Sequence, residues 1–191
     1  MNGIILAAGF SRRMGDNKLL MEYKGKTIIE SVIETIKKSK VTNLILVAKD
    51  DKIIEIGKKL NIKTVKNHKA EIGQSQSIKL GITHGNLNYD YMFFCGDQPF
   101  INEFTINKLI DYSKENKERI IIPKFRGKVG NPVIFPKAYK EELLNISGDT
   151  GGRVIIKSKK EKVLYVEVDD PLFIQDIDNL EEYNKYIKKN N

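Results

Sequence analysis

Three short segments combine charge, small residues and strand ends in ways that suit phosphate chemistry. The first is Leu6-Ala7-Ala8-Gly9-Phe10-Ser11-Arg12-Arg13-Met14-Gly15-Asp16-Asn17-Lys18. An apolar run enters a loop bounded by Gly9 and Gly15, and two arginines and a lysine follow closely. Ala7, Ala8 and Gly9 let backbone approach a flat ligand. Backbone N–H groups in such a loop cradle phosphate oxygens. Arg13 and Lys18 supply positive charge where a leaving pyrophosphate gathers negative charge. The glycine spacing matches neither a P-loop nor a dinucleotide fingerprint. A purely surface loop is the plain alternative.

The second segment is Gly96-Asp97-Gln98-Pro99, directly after the apolar run Tyr91 to Cys95. Mg²⁺ prefers one or two carboxylates plus phosphate oxygens and water, which suits Asp97 at a strand end. An Asp near a Pro also simply opens a turn. The third is Asp176-Ile177-Asp178-Asn179. Two carboxylates two apart on extended chain point the same way, so either acid can share a metal with Asp97. Capping of the last helix is the competing role, and the two are compatible.

The elements that must position these residues alternate between strand and helix. Strands are expected at Ile4 to Ala8, Asn43 to Ala48, Ile62 to Val65, Tyr91 to Cys95, Ile120 to Pro123, Pro132 to Phe135 and Val163 to Val168. Helices are expected at Ile28 to Ile36, Lys52 to Leu60, Ser77 to Thr83, Phe104 to Ser113, Ala138 to Leu144 and Leu180 to Ile187. In the first helix Ile28, Ile29, Val32, Ile33 and Ile36 follow helical spacing. Asn179 is a plausible N-cap for the last. Such alternation implies an α/β fold, a Rossmann-like doubly wound and mostly parallel sheet with helices on both faces. Ligands in these sheets sit at the carboxyl ends of strands, which directs attention to the residues after Ala8, Cys95 and Phe135. No repeat or Pro/Gly-rich linker divides the chain, so residues 1–191 are expected to form one domain.

The 191 residues suffice for one sizeable α/β core, and 40% are hydrophobic, an ordinary proportion for a globular protein. No apolar run approaches the roughly 20 residues of a membrane helix. The net charge of +8 favours phosphate-bearing partners. The lysines are spread along solvated faces without aromatic interleaving, which argues against nucleic acid. One cysteine, Cys95, excludes an internal disulfide and fits a reducing, cytoplasmic setting. With only two histidines besides, a zinc site is not expected. Cys95 is expected to be a buried strand residue and not a nucleophile, and His68 and His84 to lie on the surface.

The first segment closely resembles the L-A-A/G-G-x-S-x-R-M-G-x-x-K signature of the MobA-like nucleotidyltransferases. Within that group the chain looks most like molybdenum cofactor cytidylyltransferases and their molybdenum-hydroxylase accessory relatives. The resemblance runs from Asn2 to about Tyr183 through six segments in the family's order. It implies a nucleotide-diphospho-sugar transferase-like fold. It assigns Arg13 and Lys18 to the triphosphate, and Leu6, Ala7, Ala8, Gly9 and Ser11 to the nucleotide pocket. Gly73-Gln74-Ser75-Gln76-Ser77 is similar to the family's G-M-x-x-S-L, which puts Gly73 and Ser77 on base and ribose; Gln74 and Ile78 depart from it. Asp97 matches the family's Mg²⁺ ligand and Asp178 its second acid. Gly130-Asn131-Pro132-Val133 and Gly148-Asp149-Thr150-Gly151-Gly152-Arg153 resemble acceptor-side segments, which implies acceptor roles for Asn131, Asp149 and Arg153.

The implied reaction is transfer of CMP from CTP to the terminal phosphate of molybdopterin, with Mg²⁺ as cofactor. A molybdenum hydroxylase would receive the product. Ala8 stands where guanine-using relatives carry glycine, and its methyl narrows the pocket against a purine. The rivals are a guanylyltransferase of the same family, a sugar-phosphate or methylerythritol-phosphate cytidylyltransferase, and a non-catalytic cofactor-delivery protein. The presence of Arg13, Lys18, Asp97 and Asp178 together favours chemistry over delivery.

Overall fold

A computed structural model describes residues 1–10, 17–177 and 179–186 of the chain. The strands are β1 (Asn2–Ala7), β2 (Glu22–Tyr23), β3 (Lys26–Thr27), β4 (Asn43–Ala48) and β5 (Lys63–Lys66), then β6 (Tyr91–Cys95), β7 (Ile120–Phe125), β8 (Lys128–Val129), β9 (Val133–Phe135) and β10 (Val163–Glu167). The helices are α1 (Ile28–Lys37), α2 (Asp51–Lys59), α3 (Gln74–Thr83), α4 (Glu103–Glu115), α5 (Lys140–Asn145), α6 (Arg153–Ser158) and α7 (Leu180–Tyr186). The main sheet runs β10-β7-β9-β6-β1-β4-β5, with β8 paired to β7. Along that path β9 alone opposes the rest, pairing antiparallel with β6 and β7. The mostly parallel α/β sheet expected from the strand-helix alternation is therefore present.

Alternate residues of the central strands face opposite cores. Ile5 of β1, Leu46 of β4 and Phe94 of β6 pack with the apolar stripes of α1, α2 and α4. Ile4, Ile45 and Phe93 face the other way, onto α3, α5 and α6. Strands buried on both faces read as continuous apolar runs, which is why they stand out in the sequence. Helix α1 buries all five of its predicted apolar residues. Each contributes at most about 1.5–3 kcal/mol of burial. Thr27 and Glu30 close its start as a capping box. Asn179 caps α7 as expected, its Oδ1 accepting from the Glu182 amide at 2.9 Å.

Two hairpins and one helix depart from the expected elements. β2–β3 turns at Lys24-Gly25 and β7–β8 at Arg126-Gly127, with all four residues at positive φ. Two-residue turns of this kind are usually flagged by Asn-Gly or Asp-Gly. Here a basic residue takes the first position, so the signal is missing. Helix α6 is only six residues long and follows Gly151-Gly152, a pair that reads as loop.

The order of connection fixes where a ligand can sit. After β1 the chain builds β4 and β5 on one side, then crosses to place β6 on β1's other flank. That reversal opens a crevice at the carboxyl ends of β1 and β6.

Candidate active site

The ends of β1 and β6 are held in register by the Gly96 amide, which donates to the Leu6 carbonyl at 3.1 Å. Beyond them lies an open cleft of about 550 Å³. Leu6 of β1 with Ala8 and Gly9 just beyond it, and Cys95 of β6 with Asp97 just beyond it, line the cleft. Lys18 comes from the short 3-10 turn Lys18–Leu20 that follows the first loop. Gly73, Gln74 and Ser77 border it from the start of α3, joined by Ala70 and Glu71.

Lys18 and Asp97 meet directly, Nζ to Oδ2 at 2.5 Å, with side chains 14% and 21% exposed. The turn under Lys18 is fixed by Asn17. Its Oδ1 accepts from the Leu19 amide at 3.3 Å, and its Nδ2 donates to Asp50 Oδ2 at 3.0 Å. Asp50 is itself the N-cap of α2, so the lysine's footing is tied to a helix end. On the far side of Asp97, its backbone carbonyl accepts from the Ile177 amide at 3.1 Å. That bond brings the acidic segment around Ile177 to the same end of β6. The sequence reading thus places Lys18, Asp97 and the segment of the third motif together, and the structure does so too.

Helix α3 begins in an unusual way. Gly73 occupies its N-cap with φ of +113° and offers no side-chain cap. Asp149 supplies one from elsewhere in the chain: its Oδ1 accepts from the Gln74 amide at 3.2 Å. Ser75 Oγ donates to the Gly148 carbonyl at 2.7 Å. A Cβ on Gly73 would lie 2.4 Å from Asp149 Cα. Asp149 therefore lines the same cleft as Lys18 and Asp97. A few residues into the helix, buried Ser77 accepts from Asn67 Nδ2 at 3.0 Å, which leaves its own hydroxyl proton available as a donor.

Other expected site residues fall elsewhere. Ala7 packs into the core beneath the sheet and does not line the cleft. Asn131 lies just behind it, donating from Nδ2 to Cys95 Sγ at 3.2 Å. Arg153 is exposed at the first position of α6. Ser11, Arg13 and Asp178 lie outside the described residues. Cys95 is half-buried at the strand end, and burial followed by the Asp97 and Asp176 carboxylates pushes its thiol well above its usual range. A thiol held protonated is a poor nucleophile, but Cys95 is not the fully buried strand residue expected, since it ends β6 and borders the cleft. His68 and His84 are exposed, also as expected.

Sequence reasoning passed over Phe10, Glu71 and Lys49. Phe10 and Glu71 line the cleft, and the Lys49 ammonium sits 3.3 Å from the centre of the Phe10 ring. Phe10 occupies a variable place between Gly9 and Ser11. Glu71 lies in an irregular 3-10 turn that no periodicity marks.

The arrangement offers a carboxylate paired with a lysine ammonium, and small residues under an open cleft. Those features suit a polyphosphate bound with a divalent cation. Among the described residues no three His, Cys, Asp or Glu side chains gather as a metal cage. No helix among them is long and apolar enough to cross a membrane.

A family model described as "MobA-like NTP transferase domain" matches residues 3–163. A protein from Natranaerobius thermophilus, named a probable molybdenum cofactor guanylyltransferase, is 33% identical over 129 residues. That alignment spans 66% of this chain and 62% of the relative. The purine catabolism protein PucB of Bacillus subtilis is 27% identical across 95% of this chain and 93% of its own. In fold, the chain superposes on a nucleotidyl transferase from Methanothermobacter with a TM-score of 0.86, covering 98% of this chain and 96% of the other at 18% identity.

Proposed function

The chain belongs to the MobA-like NTP transferase family, and on that premise we propose that it transfers CMP from CTP to the terminal phosphate of molybdopterin, releasing pyrophosphate. The observation that carries this reading is the Lys18–Asp97 pair on the cleft at the joined ends of β1 and β6. It sets a phosphate-binding cation beside a cation-binding acid. The acceptor's phosphate oxygen attacks the α-phosphorus, and a new P–O bond forms as the bond to the β-phosphate oxygen breaks. The electron pair leaves on pyrophosphate, where Lys18 and Arg13 offset the growing charge. A phosphate monoester is already an adequate nucleophile near neutral pH, so positioning replaces a side-chain base. Asp97 fits Mg²⁺, which takes few protein carboxylates and completes its shell with phosphate oxygens and water. Asp178 is the second candidate ligand. Bound there, Mg²⁺ would act as a Lewis acid on the phosphate oxygens. A molybdenum hydroxylase that takes the finished dinucleotide cofactor is the partner this reading implies.

CTP is favoured by Ala8, which lines the cleft at 6% exposure and narrows it by a methyl group. The second reading, GTP, is favoured by the name of the Natranaerobius relative. The deciding experiment supplies molybdopterin, Mg²⁺ and an equimolar mixture of CTP and GTP, then weighs the product by mass spectrometry. A cytosine dinucleotide supports the first reading; a guanine dinucleotide replaces it with the second.

A further inference from the structure

Beside the cleft a small apolar cluster stands apart from the two main cores. Tyr23, Ile28 and Ile177 form it, and Phe100 and Tyr183 pack against it. Four of these belong to segments that carry the site or brace it. Tyr23 lies in β2, just after the turn bearing Lys18. Phe100 ends the short Gln98-Pro99 connection after Asp97. Ile177 lies between Asp176 and Asp178, and donates its amide to the Asp97 carbonyl. Tyr183 stands on α7, which follows that acidic segment.

The contacts tie these segments crosswise. Tyr23 and Phe100 meet edge to face with ring centres 5.8 Å apart. Phe100 meets Tyr186 of α7 in the same manner at 6.0 Å. Tyr183 adds the polar bond, its hydroxyl donating to the Glu22 carbonyl of β2 at 2.7 Å. Burial, with a smaller push from Glu22, holds that phenol above its usual range, so it stays a donor at working pH. Apolar contacts are non-directional, whereas one hydrogen bond across them fixes their alignment.

We propose that Tyr183 is a positioning residue. Through its bond to Glu22 and its packing on the Tyr23–Ile28–Ile177 cluster, which Phe100 also covers, it clamps together the segments that carry Lys18, Asp97 and Ile177. Lys18 and Asp97 stand on irregular turns, where the regular sheet hydrogen bonds no longer reach. Metal and phosphate sites tolerate little misplacement of such groups. The clamp itself is a claim about geometry; its consequence for metal binding rests on the nucleotidyltransferase reading.

The test uses the whole chain with Tyr183→Phe, which removes only the hydroxyl, and Tyr183→Ala, which removes the ring too. Amide hydrogen exchange is followed at Ile177, with Ile5 and Phe93 as core references. Mn²⁺ affinity in the presence of CTP is read by electron paramagnetic resonance, alongside the Mg²⁺ concentration giving half-maximal rate. Faster exchange at Ile177, with Ile5 and Phe93 unchanged, is expected in both variants. Tyr183→Ala should weaken Mn²⁺ affinity and raise the Mg²⁺ requirement by about 10-fold, with Tyr183→Phe between it and wild type. Unchanged exchange at Ile177 overturns the clamp. Faster exchange with wild-type Mn²⁺ affinity and Mg²⁺ requirement overturns the positioning role and leaves a structural one. If the wild type takes up no Mn²⁺ with nucleotide, the functional reading fails, and the clamp stands or falls on Ile177 alone.

Discussion

Lys18 and Asp97 form an ion pair of 2.5 Å on the cleft between β1 and β6, the two strands that flank the reversal in sheet order. Each is held from behind, Lys18 by the Asn17–Asp50 bond and Asp97 by the Ile177 amide. The pair sets a cation beside an acid at the point where a triphosphate and its metal would compete for both.

Asp97→Asn should therefore stop turnover while leaving the fold in place. Loss of the metal's charge stabilisation is worth several kcal/mol, or a fall of at least about 100-fold in kcat. The side chain fills no core space, so the melting temperature should move by only a few degrees. Pyrophosphate release and a thermal unfolding curve on the same sample check this. Near-normal kcat in a folded variant would remove the metal role from Asp97.

Lys18→Ala carries two opposite expectations. Without the lysine, Asp97 is freed, so Mn²⁺ should bind the nucleotide-free protein more tightly than it binds wild type. In turnover the variant should lose about 10²–10³-fold in kcat, with a much smaller change in CTP affinity, because the charge on pyrophosphate grows toward the transition state. Titration calorimetry with Mn²⁺, together with kcat and CTP Kd, measures both. A raised KM with kcat intact would mean that Lys18 serves binding alone.

Ala8→Gly should move base preference toward GTP. Deleting the methyl opens the cleft wall, and a difference of this size is worth ~1–3 kcal/mol, about tenfold or more in the kcat/KM ratio. The comparison is of CTP and GTP in wild type and variant. An unchanged ratio would place base choice elsewhere, with Glu71 and Gln74, which also line the cleft, the residues to try next.

Gly73→Ala should destabilise the protein and weaken nucleotide binding together. The position needs positive φ, and the new Cβ would meet Asp149 backbone at 2.4 Å. Strain of this kind costs of order 1–3 kcal/mol. Its relief pushes the Asp149 cap away from the Gln74 amide. A drop of several degrees in melting temperature with a raised nucleotide KM is expected; wild-type values for both would contradict the tight approach of these two segments.

What the sequence disclosed and what it concealed follow from range along the chain. Helix α1 is legible because its isoleucines and Val32 repeat at helical spacing. Strand β6 was legible because both faces of Tyr91 to Cys95 are buried. Leu6, Ala8, Gly9 and Asp97 are legible as cleft residues because motif and strand end coincide, and Lys18 because the signature carries it. Apolar spacing starts α3 only at Ser77, whereas the helix begins at Gln74, because its cap comes from Asp149 across the chain and leaves no local trace. Ala7 was grouped with its neighbours in the signature, but strand alternation turns its methyl into the core. Lys49 approaches the cleft's rim only through the packing of β4's end on the Phe10 loop, which no spacing within either segment announces.

The most direct measurement of the central claim is pyrophosphate release by the wild-type chain with Mg²⁺ and each of CTP, GTP, ATP and UTP, with and without molybdopterin. The account predicts release that requires molybdopterin and is fastest with CTP. No release with any of the four nucleotides when molybdopterin is present would contradict it.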